Sequence, residues 1–465
     1  MTKCLLSTIA ILVAVADRPC PAAGAGAAPP RWNILFVFAD DWGRYASCYR
    51  GLDGRPGLND VVATPAIDRL ARVGVLFRNT FVSSPSCTPC RSSLLSGRPF
   101  FSCGRGAILL NAVWDDSIPT FPLLLEGAGY RIGKSYTVWS PGRPVDAPFG
   151  GQRRAFETAG RLPNDFSENA TKMVAAGKTF AAAKEAIVAQ IRGNFRTFLA
   201  DAAGLLDSTL VVASGDHGMP GVPHGKCELH DHGTAVPLVA RVPGGTPGRI
   251  VDDFVSLPEL APTFLEVAGV PRPEGMTAPS LLPALLSDHG GQIDAARSFV
   301  ITGRERHVDT ARDGNLPYPT RAIRTADHLY IRNFAPDRLP MGRPGIAATG
   351  ERADAKALEI NTFAAYPDMD ASPTKAWVIR HGTEGEWRWL ADYSFAPRPA
   401  EELYDLRADP DQIKNLAADP AQAAVRRKLA ARLDAELLAA GDPRLAADVP
   451  FEKPPFTDVE PRGRP

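Results

Sequence analysis

The sequence predicts an α/β protein, with a mostly parallel sheet between layers of helices and a smaller C-terminal α+β domain of an antiparallel sheet and a helix. Asn33–Ala39 and Thr209–Ser214 are short continuous apolar runs, typical of strands buried on both faces. Strand and helix signals alternate through roughly the first 300 residues, which favours a parallel sheet. From about Tyr318 the pattern changes to short strands of mixed polarity. With 465 residues, 45% of them hydrophobic, the chain can bury a large core.

The remaining elements follow from local signals. Helices are predicted from Thr64-Pro65 to Gly74, over 121–128, over 257–267 and over 179–199. Exposed antiparallel strands are predicted over 322–324 and 328–332. A last helix is capped by Asp419-Pro420, and its apolar residues recur every fourth position. We expect four segments: a leader at 1–28, a main domain at 31–315, a C-terminal subdomain at 318–440, and a disordered tail at 441–465.

The N-terminus has the pattern of a signal peptide. Lys3 precedes an apolar stretch from Leu5 to Ala16, and small residues near Ala16 and Ala27 offer cleavage sites. The stretch is too short to span a membrane as a helix. The sequence therefore predicts a secreted or periplasmic protein without stable membrane insertion.

Charge and cysteine content narrow the class of partner. The chain has 52 basic residues (Lys and Arg) and 52 acidic residues (Asp and Glu). This balance argues against nucleic acid as a partner and against a general polyanion-binding surface. Local groups such as Arg304, Arg306, Arg321 and Arg324 could still recognise a sulfated polymer, or they could be ordinary salt-bridged arginines. In an oxidising compartment, disulfides could form among four cysteines: Cys48, Cys90, Cys103 and Cys227.

The segment Cys87-Thr88-Pro89-Cys90-Arg91 is the most informative motif. Pro89 fits the first turn of a helix, so Cys87 is predicted at a helix N-terminus, where backbone N–H groups favour an anion. Arg91 adds a positive charge one turn on. The alternative interpretation is a buried or disulfide-bonded cysteine beside a helix cap.

Two acidic clusters follow the two predicted strands. Asp40-Asp41 comes after the first strand, and Asp216-His217 comes after the second. Ligands of open α/β sheets bind at the carboxyl ends of strands, so these side chains are expected to meet there. Carboxylates that converge repel each other unless a cation holds them together. Either cluster alone could be a solvated turn.

In these residues the chain resembles the sulfatases of the alkaline-phosphatase-like superfamily. The matching residues occur in order: Asp40, Asp41, Cys87, Pro89, Arg91, Gly129-Tyr130-Arg131-Ile132-Gly133-Lys134, Asp216, His217, Lys226 and Glu402-Leu403-Tyr404-Asp405-Leu406. The likeness runs from about residue 31 to 440. Gly303-Arg304-Glu305-Arg306-His307 and Arg321–Thr325 look most like the sulfamidase, or heparan N-sulfatase, branch.

The resemblance implies a sulfuric ester or N-sulfate hydrolase that acts on sulfated carbohydrate. A formylglycine-generating enzyme would oxidise Cys87 to formylglycine, the nucleophile. Asp40, Asp41, Cys87, Asp216 and His217 would hold a divalent cation. Oxygen-rich ligation points to one Ca²⁺ per subunit, although imidazole is an unusual calcium ligand.

The resemblance also implies roles for the remaining site residues. Arg91 and Lys134 would stabilise the nucleophile and the developing charge, and Lys226 would bind sulfate and assist the leaving group. Four further residues are expected to contact substrate: Tyr136, His224, Arg304 and His307.

The chain departs from the family pattern at two places. Tyr136 stands where sulfatases normally have a histidine. Between residues 200 and 201 a core strand and a histidine-containing loop are missing, and that histidine is the family's usual leaving-group acid. The sequence is therefore compatible with an inactive relative, with an internally deleted gene product, or with replacement by His224, His230 or His307. The expectation is reduced or absent activity.

Two other functions fit parts of the pattern. A two-zinc phosphodiesterase or phosphatase of the same superfamily would use Thr88 as nucleophile and the later histidines as ligands. A non-catalytic protein that binds sulfated glycan would need no modified cysteine.

Overall fold

The computed structural model describes residues 9–16, 31–135, 139–144, 147–149 and 203–459. Within these residues the chain forms a seven-stranded sheet and a four-stranded sheet, with helices packed around them. This confirms the predicted α/β class with a smaller antiparallel sheet. The predicted helix at 179–199 and the junction between residues 200 and 201 lie outside the described residues.

The larger sheet contains the main core. Its strands are β1 (Ile9–Ala16), β2 (Asn33–Ala39), β3 (Val75–Phe81), β4 (Tyr130–Ser135), β5 (Thr209–Gly215), β6 (Leu238–Arg241) and β7 (Arg249–Ser256). They lie in the order β4-β1-β2-β5-β6-β3-β7. The pairs β2–β5 and β3–β7 are parallel, whereas β1 and β6 are antiparallel to both neighbours. Five of the seven strands therefore point one way, and two are reversed.

β1 lies between β2 and β4. Its residues Ile9–Ala14 pair with Ala39–Ile34 of β2, and Ile11–Ala16 pair with Ser135–Tyr130 of β4. The sequence predicts a removable leader here and a missing core strand near residue 200. In the structure the N-terminal apolar run supplies hydrogen-bonding partners for the two facing strand edges, which would otherwise be unpaired.

The helices cover both faces of the larger sheet and one face of the smaller. The α-helices of the described residues are α1 (Leu58–Val61), α2 (Pro65–Val73), α3 (Cys87–Ser96), α4 (Phe121–Gly127), α5 (Asp231–Thr234), α6 (Leu260–Val267), α7 (Leu282–Leu286), α8 (Ala355–Ile360), α9 (Pro373–His381), α10 (Arg388–Phe395) and α11 (Ala423–Ala439). The predicted helices α2, α4, α6 and α11 are confirmed, with a 3₁₀ turn at Leu257–Glu259 opening the third. No helix of the described segments is long and apolar enough to cross a membrane.

The smaller sheet is antiparallel throughout, in the order β11-β10-β9-β8. Its strands are β8 (Phe299–Arg304), β9 (Thr320–Thr325), β10 (His328–Asn333) and β11 (Glu401–Asp405). β9 and β10 occur where predicted, but the expectation that they are exposed is wrong: Ala322 and Leu329 are fully buried. α11 covers one face of the sheet, and Leu229 packs with apolar residues of the other.

The C-terminal tail is also more ordered than predicted. Residues 441–459 pack on the smaller sheet, because the carboxylate of Asp442 binds the buried guanidinium of Arg321 and Phe451 joins the core beneath α11. The described cysteines, among them Cys90 and Cys227, are free thiols, so the structure contains none of the expected disulfides among the described residues.

Candidate active site

The two acidic clusters meet at the carboxyl ends of β2 and β5. Ala39 and Gly215 are paired residues of these parallel strands, so Asp40 and Asp216 follow at adjacent positions. The backbone N–H of Asp41 donates to Asp216 Oδ1 at 2.8 Å. The juxtaposition predicted from the strand ends is confirmed.

Cys87 is the first residue of α3, and every side chain of that helix is buried. Its Sγ lies 3.1 Å from His217 Nε2 and 3.8 Å from Asp40 Oδ1. Burial raises the pKa of the Cys87 thiol well above its usual value, and the opposing charge of Lys226 does not overcome it. In this environment burial therefore favours the neutral thiol of Cys87 over the thiolate.

Arg91 joins the two acidic clusters. Its guanidinium donates to Asp216 Oδ2 at 3.1 Å from Nε and 2.8 Å from Nη2, and it also bonds Asp40 Oδ1. Burial raises the pKa of Asp216, but His217 and Arg91 outweigh that effect and lower it. Burial raises the pKa of Asp40, and the neighbouring charge of Asp216 adds to the increase. The single positive charge of Arg91 therefore does not neutralise the carboxylates of both Asp40 and Asp216.

Asp41 adopts a left-handed backbone conformation, with φ of 56°. Such a conformation is strained for a residue with a side chain and is concentrated at functional sites. Its Oδ1 accepts from Lys226 Nζ at 3.1 Å and lies 3.6 Å from His217 Nδ1. The carboxylates of Asp40 and Asp41 thus lie close together at this turn.

These residues fit a divalent cation. One ligand atom each from Asp40, Asp41, Cys87 and His217 lies within 4.8 Å of all the others. Burial is the main cause of the raised pKa of Asp40, and the charge of Asp216 adds to it; a bound cation would oppose both effects. Asp216, the fifth predicted ligand, is not among these four residues, and its carboxylate is engaged by Arg91 and the Asp41 backbone. The carboxylate oxygens suit Ca²⁺, whereas the imidazole is more typical of transition metals.

Lys226 lies between two carboxylates. Its Nζ is 3.1 Å from Asp41 Oδ1 and 3.3 Å from Asp370 Oδ2. Burial lowers the pKa of Lys226, but Asp370 and Asp41 outweigh that effect and raise it well above its usual value. Asp370 was not predicted: it lies in the segment before α9, far along the chain, and no local pattern marks it. The predicted main domain and C-terminal subdomain both contribute to the site.

The three histidines considered as replacements occupy different places. His224 and His230 stack on each other with ring centroids 3.5 Å apart, and His224 Nε2 bonds the Tyr393 carbonyl at 3.1 Å. His224 packs against Tyr393 of α10, and His230 packs edge-on against Tyr404 of β11. His307 instead bonds Ser86 Oγ through Nδ1 at 2.9 Å, next to Cys87. Burial lowers the pKa of His307 to about 3, because the charge of Asp368 only partly opposes the loss of solvent.

The Arg304 side chain is buried and hydrogen-bonded within the protein rather than open to solvent. It is 3% exposed, and it donates to the carbonyl of Cys227 and, at 2.9 Å, to Asp368 Oδ2. The arrangement does not favour the expected contact of Arg304 with substrate, and the same holds for the internally hydrogen-bonded His224. Lys134 lies on β4, but its side chain and all of Tyr136 lie outside the described residues.

The geometry does not favour a two-zinc site. The Thr88 side chain is fully buried, and its Oγ1 has no hydrogen-bond partner among the described residues. His224 and His230 are not members of the ligand group formed by Asp40, Asp41, Cys87 and His217. Thr88 is therefore poorly placed as a nucleophile.

Comparison with known proteins agrees with this geometry. A family model described as Sulfatase matches residues 32–168 and 193–270. The chain is 26% identical to an ulvan-active sulfatase of Formosa agariphila over 458 residues, covering 88% of this chain and 80% of that protein. It is 26% identical to the N-sulphoglucosamine sulphohydrolase of Homo sapiens over 483 residues, covering 84% of this chain and 87% of that protein.

Solved structures show the same fold at low identity. A protein solved with its substrate D-glucosamine-2-N,6-O-disulfate superposes with a TM-score of 0.52 at 16% identity, covering 89% of this chain and 98% of that chain. A phosphonate monoester hydrolase from Silicibacter pomeroyi gives a TM-score of 0.54 at 15% identity, covering 89% of this chain and 96% of that chain. At these identities the likeness concerns the fold alone.

Proposed function

Because this chain belongs to the sulfatase family and is thus a sulfuric ester hydrolase, we propose that it removes sulfate from a carbohydrate, as an ester or an N-sulfate, by means of a formylglycine made from Cys87. The observation that carries the proposal is the convergence of Cys87, Asp40, Asp41 and His217 on one point. The names of the ulvan-active and N-sulphoglucosamine relatives support a sulfated carbohydrate as the substrate class.

The chain's own residues have separable roles in this proposal. Arg91 holds Asp40 and Asp216 in place and adds positive charge where sulfate charge develops. Lys226, kept protonated by Asp41 and Asp370, binds a sulfate oxygen. Lys134, Tyr136, His224, Arg304 and His307 complete the proposed set, and the structure offers the most direct argument for His307.

Asp40, Asp41, Asp216 and His217 would hold the cation, which we propose is Ca²⁺. When bound, it supplies a Lewis acid for a sulfate oxygen and a template for the nucleophile. Formylglycine supplies a hydrated aldehyde that can release sulfate, which a thiol does poorly. A formylglycine-generating enzyme acting during export to a secreted or periplasmic location would be the maturation partner.

The test is to co-produce the chain with a formylglycine-generating enzyme, measure the mass of the peptide that contains Cys87, and assay sulfate release from N-sulfoglucosamine and from aryl sulfates. We expect conversion of Cys87 to the aldehyde and measurable release. Cys87→Ala should abolish release, whereas Cys90→Ala, a change one turn along the same buried helix, should retain it. An unmodified Cys87, or equal activity of the two variants, would contradict the proposal.

A further inference from the structure

When sulfate is released from a sugar, the sugar oxygen or nitrogen that separates from sulfur is a poor leaving group. The oxygen or nitrogen that separates from sulfur takes up negative charge and needs a hydrogen-bond donor or a proton. Among the described residues, Arg91 and Lys226 are the cations paired with the carboxylates of the site, and each is already bound to two of them. On the premise that the proposed function is correct, a further donor would assist the leaving atom.

We infer that His307 is that donor, giving its Nε2–H to the atom that leaves sulfur, and that Ser86 positions the ring. The ring is tied to the start of α3, because Ser86 directly precedes Cys87 and its Oγ is 2.9 Å from His307 Nδ1. His307 Nε2 makes no hydrogen bond to any residue of the described segments, so it is available to a ligand.

The ring lies within electrostatic reach of Lys226, the lysine that we propose binds sulfate. Asp368, Lys226, Asp370 and Arg304 are the charged groups that act on it, and His307 in turn acts on Asp370. Its backbone is fixed on both sides, since its carbonyl accepts from the Leu110 N–H at 3.1 Å and the next N–H donates to Asp368. The ring therefore has little freedom to turn away.

The protonation state agrees with hydrogen-bond donation. Asp368 and Asp370 raise the pKa of His307 while burial, Lys226 and Arg304 lower it, and the ring is neutral near pH 7. A neutral imidazole has a single N–H. We assign the tautomer in which the Ser86 hydroxyl donates to Nδ1 and the single N–H is on Nε2. Neutral imidazole donors of this kind polarise reacting atoms in other enzymes.

The chemistry balances without a further reactant. The S–O or S–N bond breaks with its electron pair on the leaving atom, which His307 holds through Nε2–H and which takes up a proton from water. For an ester, R–O–SO₃⁻ and H₂O become R–OH and HSO₄⁻. His224 and His230 stack on each other, His224 also packs on Tyr393 of α10, and neither belongs to the group around Cys87, so they are not placed to share this role.

The experiment compares substrates that differ in leaving group. We would measure kcat/KM of the matured enzyme with 4-nitrophenyl sulfate, with aryl sulfates of rising phenol pKa, and with a sugar sulfate. His307→Ala should lower the rate with the sugar sulfate by roughly 100-fold or more and the rate with 4-nitrophenyl sulfate far less. His307→Gln, which keeps a neutral N–H donor, should restore part of the loss. The matched control His230→Gln changes another buried histidine and should leave the dependence on phenol pKa unaltered.

An equal loss across all leaving groups in His307→Ala would overturn the inference and make the ring structural. If that variant does not fold, Ser86→Ala keeps the ring and removes its partner. It should give a smaller loss that still grows with phenol pKa, and a uniform loss there would also overturn the inference. Failure of the proposed function would give a different result from failure of the His307 inference alone. The matured wild type would then hydrolyse none of the aryl sulfates, and the inference would fail as well.

Discussion

At the scale of single residues, the segment that bears His307 depends on one buried carboxylate. Asp368 Oδ2 binds Arg304 at 2.9 Å and Arg312 at 2.6 Å, and its Oδ1 accepts from the Val308 N–H at 3.1 Å. Burial raises the pKa of Asp368, but Arg312 and Arg304 outweigh that effect and lower it to about 2. The carboxylate thus links segments that are distant in the chain.

Asp368→Asn should lower the free energy of unfolding by about 3–5 kcal/mol, because two buried guanidiniums lose their counter-charge. The wild-type contribution is fully present above the unfolded pKa of about 4 and is lost as pH falls through the folded pKa of about 2. Denaturant unfolding at pH 7 and pH 3 measures both effects. Asp434→Asn, at a half-exposed pair with Arg332, should cost less than about 1 kcal/mol. Similar losses in the two variants would show that Asp368 has no special role.

The site residues that could be predicted are those with a local signal. Asp40 and Asp216 directly follow buried apolar strands, so the general rule for strand ends located them. Asp370 and Asp368 follow no strand and acquire a role only when the C-terminal segment packs against the loop that bears Lys226. His224 looked equivalent to His307 in sequence, because the direction of a loop side chain is decided by its packing partners.

At the scale of elements, the apolar face of helix α11 could be predicted from the sequence. Leu429, Leu433 and Leu437 recur every fourth residue and are buried against the smaller sheet. Leu438, one position further, is 73% exposed. The periodicity identified the helix, and the sheet beneath it explains the burial of strands that the sequence alone presented as exposed.

Leu433→Ala should lower the free energy of unfolding by about 2–5 kcal/mol, since it removes a fully buried side chain and leaves a cavity. Leu438→Ala, the same substitution in the same helix, should change it by less than about 0.5 kcal/mol. Thermal or denaturant unfolding of the two variants checks the difference. A cost for Leu438→Ala as large as that for Leu433→Ala would mean that the helix packs in another orientation.

At the scale of the whole molecule, a cation bound at the proposed site would couple that site to stability. Asp40 and Asp41 follow β2, His217 follows β5 and Cys87 begins α3, so a bound ion would hold three elements of the main domain together. The unfolded chain does not bring these ligands together. Binding therefore stabilises the folded state alone.

Addition of Ca²⁺ to chelator-treated protein should raise the melting temperature, with a stabilisation of about 2.7 kcal/mol when the free ion is at 100 times its dissociation constant. Asp41→Asn should reduce the shift, whereas Asp53→Asn, at an exposed pair with Arg44, should not. Differential scanning calorimetry with Ca²⁺, Mg²⁺ and Zn²⁺ in turn tests both the site and the identity of the ion. No shift with any of the three would show that these side chains do not hold a cation.

The position of β1 has a consequence for how the protein is made. If the predicted leader is cleaved, Ile9–Ala16 would be removed with it, although this stretch is a strand inside the larger sheet. If cutting comes first, β2 and β4 are left with bare facing edges. If the sheet closes first, the cleavage region is tied to a folded domain and withdrawn from the peptidase. If the predicted export and cleavage take place, the order of translocation, cutting and sheet closure would therefore decide how many strands the mature sheet contains.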